Sequence, residues 1–443
     1  MLNFIYRVSE ADPLKEEPLA GDLSEEERCV HALAVQSLCG ILHIIPLALD
    51  MLLQTLSQRM PYVKRPARQQ AAYVSSLLLL SGQLSQARPQ LLRLVYRRLL
   101  QVLVYRRLLQ LDVLCPRDSL AAAGDAPPDE AVTLDALMMV VLRHMESVCY
   151  PGDDRQLDWA ATKLIYADLI KVFEELALPT PSTAHAQFWL FWLAGRRLAL
   201  AEHLIDWLWR RVENPRSPAV LRQAAAGYIG SFLARANIVS IDVVRPALEL
   251  MAGWVHRYLT RQDGAARERA DFTMHRPFYA VCQTLFYVFA FRHTEMPPTR
   301  AYMPFLRSLN YERMVTSQLN PLRFCLPAVV KNFANVARHY QLAYCYTVIE
   351  RNNRVQIPVV VSTNFGFNVS ALSSCTAATS RSTPTSSSTR RLNIRQCSGS
   401  TRASVVVDSD SDSDSDDEME ADAAAAAALA EFQDGVSSPG FKH

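Results

Sequence analysis

No stretch of this 443-residue chain stays apolar long enough to cross a bilayer. The longest apolar runs, Phe188–Ala194 and Leu285–Phe291, fall far short of the ~20 residues that a spanning helix needs. The N-terminus lacks a signal-peptide pattern, so the sequence reads as a soluble intracellular protein. Glycine is scarce, at 14 residues, while proline reaches 24. That balance disfavours a glycine-rich β or α/β enzyme and suits helices punctuated by proline-started turns. The nine cysteines include no CxxC and no Cys/His spacing of zinc-site type, and most sit among apolar neighbours as reduced, buried thiols would. HExxH, GxSxG and a dinucleotide fingerprint are all missing. Gly227, Gly230 and Ser231 lie inside a helical pattern without the lysine or preceding strand of a phosphate loop. The residues therefore offer no catalytic, cofactor or metal-ligand set.

Half the residues are hydrophobic, enough for a large core. Between Leu221 and Ala236 they repeat at helical spacing: Leu221, Ala224, Ala225, Tyr228, Ile229, Phe232, Leu233 and Ala236 form one broad stripe. Gly227, Gly230, Ser231 and Ala234 form a second face of small residues, where another backbone can approach closely. A helix with two packing faces belongs between neighbours, in a bundle or a stack of helical repeats. Similar patterns cover Cys29–Leu38, Pro46–Gln58, Arg68–Leu80 and Pro89–Leu111. They resume at Leu134–Val148, Leu157–Leu178, Ala184–Val212, Pro218–Ala236, Asp242–Thr260, Pro277–Phe291, Leu322–Arg338 and Leu342–Ile349. Pro181, Pro215, Pro246 and Pro277 open blocks of about 30 residues, as stacked units do. Leu94–Gln101 (LVYRRLLQ) recurs as Leu103–Gln110, a nine-residue spacing that imposes no simple supercoil.

These patterns predict an all-α, HEAT-repeat-like solenoid with a disordered C-terminal tail. The expected divisions are an irregular segment 1–24, helical repeats 25–115, a linker 116–131, a helical-repeat core 132–357 and a tail 358–443. The tail is Ser/Thr-rich and then acidic, and buries too little apolar area to offset its ordering entropy. The net charge of +2 hides an asymmetry. Residues 1–355 hold 40 Lys+Arg against 33 Asp+Glu, and residues 356–443 hold 6 against 11. Arginine outnumbers lysine 40 to 6, which genomic composition explains better than phosphate binding.

Several residue groups invite a functional reading. His275 and Cys282 lie two helical turns apart, but no carboxylate is placed to orient them, and a packed cysteine with a helix-start histidine is the better account. His203 and His256 stand singly on helices and read as satisfied histidines. Trp189, Trp192, Trp207, Trp209 and Trp254 fit core filling better than a binding face. Glu350, Arg351, Asn352, Asn353 and Arg354 form a dense polar cluster after an apolar helix, either a solvated C-terminal cap or a partner contact. Ser317, Gln318 and Asn320, in the turn around Asn320–Pro321, are further candidate contacts. Ser411, Ser413 and Ser415 each have acidic residues at +1 and +3, the pattern an acidophilic kinase reads. A solubilising tail fits equally.

Four phrases carry a resemblance: Arg222–Ala236 (RQAAAGYIGSFLARA), His275–His293 (HRPFYAVCQTLFYVFAFRH), Ser308–Pro327 (SLNYERMVTSQLNPLRFCLP) and Tyr340–Arg354 (YQLAYCYTVIERNNR). In wording and order they resemble the RNA polymerase I-specific transcription initiation factor family, with a weaker stretch over His31–Val113. The resemblance covers about residues 28–357. It implies a HEAT-repeat fold and a nuclear, nucleolar adaptor without catalysis, bridging RNA polymerase I to the promoter-bound core or selectivity factor. Self-association to a homodimer and control by phosphorylation are also implied. The family's N-terminal repeats are expected to be missing here, its acidic insertion lies elsewhere, and its C-terminal segment is not recognisable after Arg354. A basic helical module that contacts DNA directly is the competing reading.

Overall fold

The computed structural model describes residues 25–44, 48–84, 103–114, 129–152, 156–181, 183, 185, 187–235, 239–263 and 273–354. Among them every regular element is helical and no strand occurs. In chain order the helices are α1 (Glu25–Ile44), α2 (Ala48–Gln58), α3 (Ala67–Leu84), α4 (residues 103–114), α5 (Asp129–Cys149), α6 (Trp159–Val172), α7 (Phe188–Ala194) and α8 (Leu198–Glu213). There follow α9 (Ala219–Arg235), α10 (Ile241–Asp263), α11 (Arg276–Arg292), α12 (Met303–Ser308), α13 (Tyr311–Thr316), α14 (Pro321–Phe324), α15 (Pro327–His339) and α16 (Tyr346–Arg354).

Side-chain register shows how they stack. Tyr166 meets His203 and Glu174 meets Arg211, each across 37 residues, so α6 with its π-helical continuation (Phe173–Ala177) runs parallel to α8. Trp209 and Glu213 of α8 meet Trp254 and Arg257 of α10 in the same sense. His256 and Thr260 of α10 meet Leu309 and Arg313, both across 53 residues. A second row packs α1 on α3, α3 on α5, α5 on α7, α9 on α11 and α11 on α15. Phe191–Phe232, with centroids 4.9 Å apart, joins α7 to α9. Parallel helices in one row, linked through helices of the other, make an α-solenoid of HEAT-like units.

The second row carries most of the core. Residues 277–290 of α11 are all buried, as its apolar sequence requires, and residues 225–234 of α9 are buried on every side. The two-faced reading of α9 holds for its burial but not for one of its glycines. A methyl group at Gly227 would meet nothing within 4 Å, so no neighbour demands glycine there. Of the five tryptophans read as core filling, Trp189 is fully buried against Tyr105 and Phe173, Trp192 and Trp209 are buried on their own helices, and Trp207 and Trp254 are half-buried.

Several boundaries differ from the sequence pattern. Ala184–Val212 divides into α7 and α8 because the chain turns extended at Arg197 (φ −146°, ψ 144°), and Arg196 Nε bonds back to Trp192 O at 3.0 Å. Leu322–Arg338 divides at Cys325–Leu326. Pro246 opens no unit. It lies in the second turn of α10, where its missing N–H removes a single helical bond. α5 starts at Asp129, inside the stretch read as linker. The second copy of the nine-residue duplication, residues 103–110, is helical, with Tyr105, Leu108 and Leu109 buried. The first copy, segment 1–24, most of the linker and the tail lie outside the described residues.

Candidate partner-contact surface

Two left-handed asparagines shape the turn that carries Ser317, Gln318 and Asn320. Asn310 (φ 47°) and Asn320 (φ 45°) adopt a conformation that asparagine tolerates better than other side chains do. Asn310 Oδ1 accepts the Arg313 N–H at 3.3 Å and caps α13. Asn320 caps nothing, because its amide is committed across the fold. Its Nδ2 donates to Asn352 Oδ1 at 2.6 Å, and Asn352 Nδ2 donates to Asn320 Oδ1 at 3.2 Å. Pro321, which has no N–H to cap, then starts α14.

The core grips the same turn from below. Tyr279 Oη on α11 donates to Leu319 O at 2.9 Å, and Gln283 Oε1 accepts the Leu326 N–H at 2.7 Å. Thr284 Oγ1, on the opposite flank of α11, donates to Ala226 O of α9 at 2.9 Å. Gln283 and Thr284 look like exceptions on an apolar helix. They are its links to the backbones of its neighbours.

The polar cluster is not a tail after a helix but the last turns of α16 itself, on which Val348 is buried. The apolar pattern at Leu342–Ile349 marks its first residues, but the helix starts at Tyr346 and runs on through the polar residues to Arg354. Of the candidate contacts, the structure brings Asn320 and Asn352 together. Ser317 is half-buried, its Oγ donating to Met314 O at 2.7 Å. Gln318, Glu350, Arg351, Asn353 and Arg354 are exposed. Arg354 and Glu350 stand 3.9 Å apart with both side chains mostly in water, so their pairing adds little to stability. A rigid turn thus sits beside a set of exposed polar and charged side chains.

Sequence reasoning missed the neighbouring face. Lys331, Asn335 and Arg338 follow one another along α15 at i, i+4 and i+7, opposite its buried side. The Arg338 guanidinium lies 5.8 Å from the Tyr346 ring, whose hydroxyl donates to Asn335 Oδ1 at 2.5 Å. Tyr344 beside it is 60% exposed. Tyr346 is one turn before Glu350 on α16, so this basic and aromatic face runs into the polar cluster. The i, i+4, i+7 spacing was readable, but which helix would lie alongside it was not.

The alternative chemistry finds no support. Cys282 is fully buried beside Cys325, and burial pushes both thiols upward, away from the thiolate a nucleophile needs. Cys345 is likewise pushed up, to about 12. His275 Nδ1 is held by Tyr258 Oη at 2.8 Å. His203 and His256 are bonded to Tyr166 and to Leu309 O. Ser411, Ser413 and Ser415 lie outside the described residues. No described helix is long and apolar enough to cross a membrane.

Residues 3–114 and 126–423 match the family model of the RNA polymerase I specific transcription initiation factor RRN3. The match passes both ends of the phrase-level likeness over residues 28–357. A mouse protein, RNA polymerase I-specific transcription initiation factor RRN3, is 36% identical over 348 residues, covering 72% of this chain and 53% of that one. The protein of that name from Schizosaccharomyces pombe is 34% identical over 203 residues, covering 43% and 33%. This chain therefore spans about half the length of the mouse relative and a third of the yeast one. A crystal structure of RNA polymerase I transcription initiation factor Rrn3 superposes with a TM-score of 0.62 over 80% of this chain and 67% of that one. At 22% identity, that likeness is one of fold.

Proposed function

The chain belongs to the RNA polymerase I-specific transcription initiation factor RRN3 family, and from that premise we infer that it serves initiation at ribosomal RNA genes as a non-catalytic adaptor. It binds RNA polymerase I and bridges it to the promoter-bound core or selectivity factor, in the nucleus and within it the nucleolus. The observation that carries this reading is the surface from Ser317 to Arg354. There a turn fixed by the Asn320–Asn352 amide pair presents Gln318, Glu350, Arg351, Asn353 and Arg354 to solvent. Fixed backbone beside exposed, weakly paired charge lowers the ordering cost of association, as a docking surface requires. The test is capture from nuclear extract by the immobilised full chain. RNA polymerase I subunits should be retained together, and their absence from the eluate would overturn the adaptor reading.

The basic, aromatic face of Lys331, Arg338, Tyr344 and Tyr346 favours a second reading, direct contact with nucleic acid. Binding dominated by phosphates weakens steeply with salt. A gel shift with ribosomal promoter DNA across a salt series separates the two: salt-sensitive affinity supports direct contact, and no shift removes it.

A further inference from the structure

A second cationic surface lies away from the partner-contact surface, on the row formed by α6 and α8. Trp159 opens α6, half-buried, and carries two cations. Lys163 Nζ is 5.4 Å from its ring centroid, and the Arg197 guanidinium, at the extended break before α8, is 4.6 Å away. Neither cation forms an ion pair among the described residues. The cations around Trp207 and Trp192 differ: Arg211 pairs with Glu174, and Arg196 bonds to Trp192 O. Beside the Trp159 pair lie two exposed leucines, Leu164 at 51% and Leu198 at 43%. Ala160, Ala167 and Lys171 extend the same exposed side of α6. Asp158, exposed at the N-cap of α6, accepts the Ala160 and Ala161 N–H groups at its Oδ1. Uncommitted cations on an aromatic ring, flanked by bare aliphatic side chains, fit a segment both acidic and apolar.

Such a segment belongs to this chain. Residues 408–422 hold nine Asp and Glu and no Lys or Arg, between Val405–Val407 on one side and an alanine run with Leu429 on the other. More than 50 residues separate Arg354 from Asp408. At about 3.3 Å per extended residue, that length reaches any face of the solenoid. We propose that residues 405–429 dock intramolecularly on the Trp159–Lys163–Arg197 face, acids on the cations and flanking apolar residues on Leu164 and Leu198. The docked tail competes with any acidic partner segment for this face. Phosphorylation of Ser411, Ser413 or Ser415 adds negative charge and tightens the contact.

The scarcity of lysine makes the test discriminating. Of the six lysines only Lys64, Lys163, Lys171 and Lys331 lie in the described solenoid. The full-length chain is treated with a zero-length carbodiimide, the monomer is isolated, and linked peptides are mapped by mass spectrometry. Yields are normalised to each lysine's acetylation rate. Tail carboxylates should couple to Lys163 at least about fivefold more than to Lys64 or Lys331, which lie off this face, and 0.5 M salt should abolish the excess. Arg197→Gln, which leaves Lys163 in place, should cut that yield severalfold. Even coupling across the four lysines, a preference for Lys331, or links found only in dimers would each overturn the proposal.

Discussion

Gly227 and Gly230 sit three residues apart on α9. Both are buried. A methyl at Gly227 meets nothing within 4 Å, so Gly227→Ala should stabilise the fold by about 1 kcal/mol through helix propensity alone. The urea midpoint should rise, and a fall would mean that α9 and its neighbours approach more closely than described. Gly230→Leu inserts four carbons into a helix enclosed on all sides and should cost about 1–3 kcal/mol by overpacking. An unchanged midpoint would show unfilled space at that position too. Asn320 separates backbone from side chain in a similar way. Asn320→Gly loses the amide pair but keeps the left-handed turn, at a cost of about 1 kcal/mol. Asn320→Ala loses both, and the left-handed strain adds about 1–2 kcal/mol. Equal midpoints for the two variants would contradict the conformation at 320. Cysteine labelling reads burial directly: a thiol reagent at neutral pH should modify exposed Cys29 and reach Cys282 and Cys325 only in denaturant.

Between elements, the least conspicuous sequence features do the most joining. Asp112, near the end of α4, is fully buried and accepts the His185 backbone N–H at 3.0 Å and its ring Nδ1 at 2.9 Å. The turn it holds also sets Thr183 Oγ1 against Tyr228 Oη at 2.8 Å, tying α4, the approach to α7 and α9 together. Asp112→Ala leaves those donors buried without that acceptor and should cost about 2–4 kcal/mol. A thermal-melt shift no larger than that of an exposed variant such as Arg210→Ala would refute the staple. Nothing in the sequence pairs residues 73 positions apart, so this joint was invisible beforehand. The elements were better foreshadowed: the apolar period places α5, α9, α10 and α11, and the bland readings of the tryptophans and of His203 and His256 agree with their contacts. Boundaries failed where tertiary contacts outweigh propensity. The break between α7 and α8 falls at Gly195, the C-cap of α7, where Arg196 bonds back to Trp192 O and Arg197 lies over Trp159 across the fold. Residues 350–354 of α16 read as a cap or a partner contact rather than as helix, because the apolar pattern over Leu342–Ile349 ends before them.

At the scale of the whole molecule, a solenoid separates what holds it together from what it shows to others. Its stability is roughly a sum of units and nearest-neighbour interfaces, so changes outside those interfaces should leave the melting behaviour alone. Glu350, Arg351 and Arg354 are exposed, and the one ion pair among them is mostly in water. Replacing all three with alanine should move the midpoint by no more than about 0.5 kcal/mol. If Ser317–Arg354 is the docking surface, the same variant should retain several-fold less RNA polymerase I from nuclear extract. The two readouts divide the cases. Lost capture with an unchanged midpoint locates the contact on α16. Lost capture with a lowered midpoint makes the cluster structural, and the Asn320–Asn352 pair that anchors it becomes the part that matters. Undiminished capture with an intact fold moves the contact elsewhere on the solenoid and removes Ser317–Arg354 from consideration.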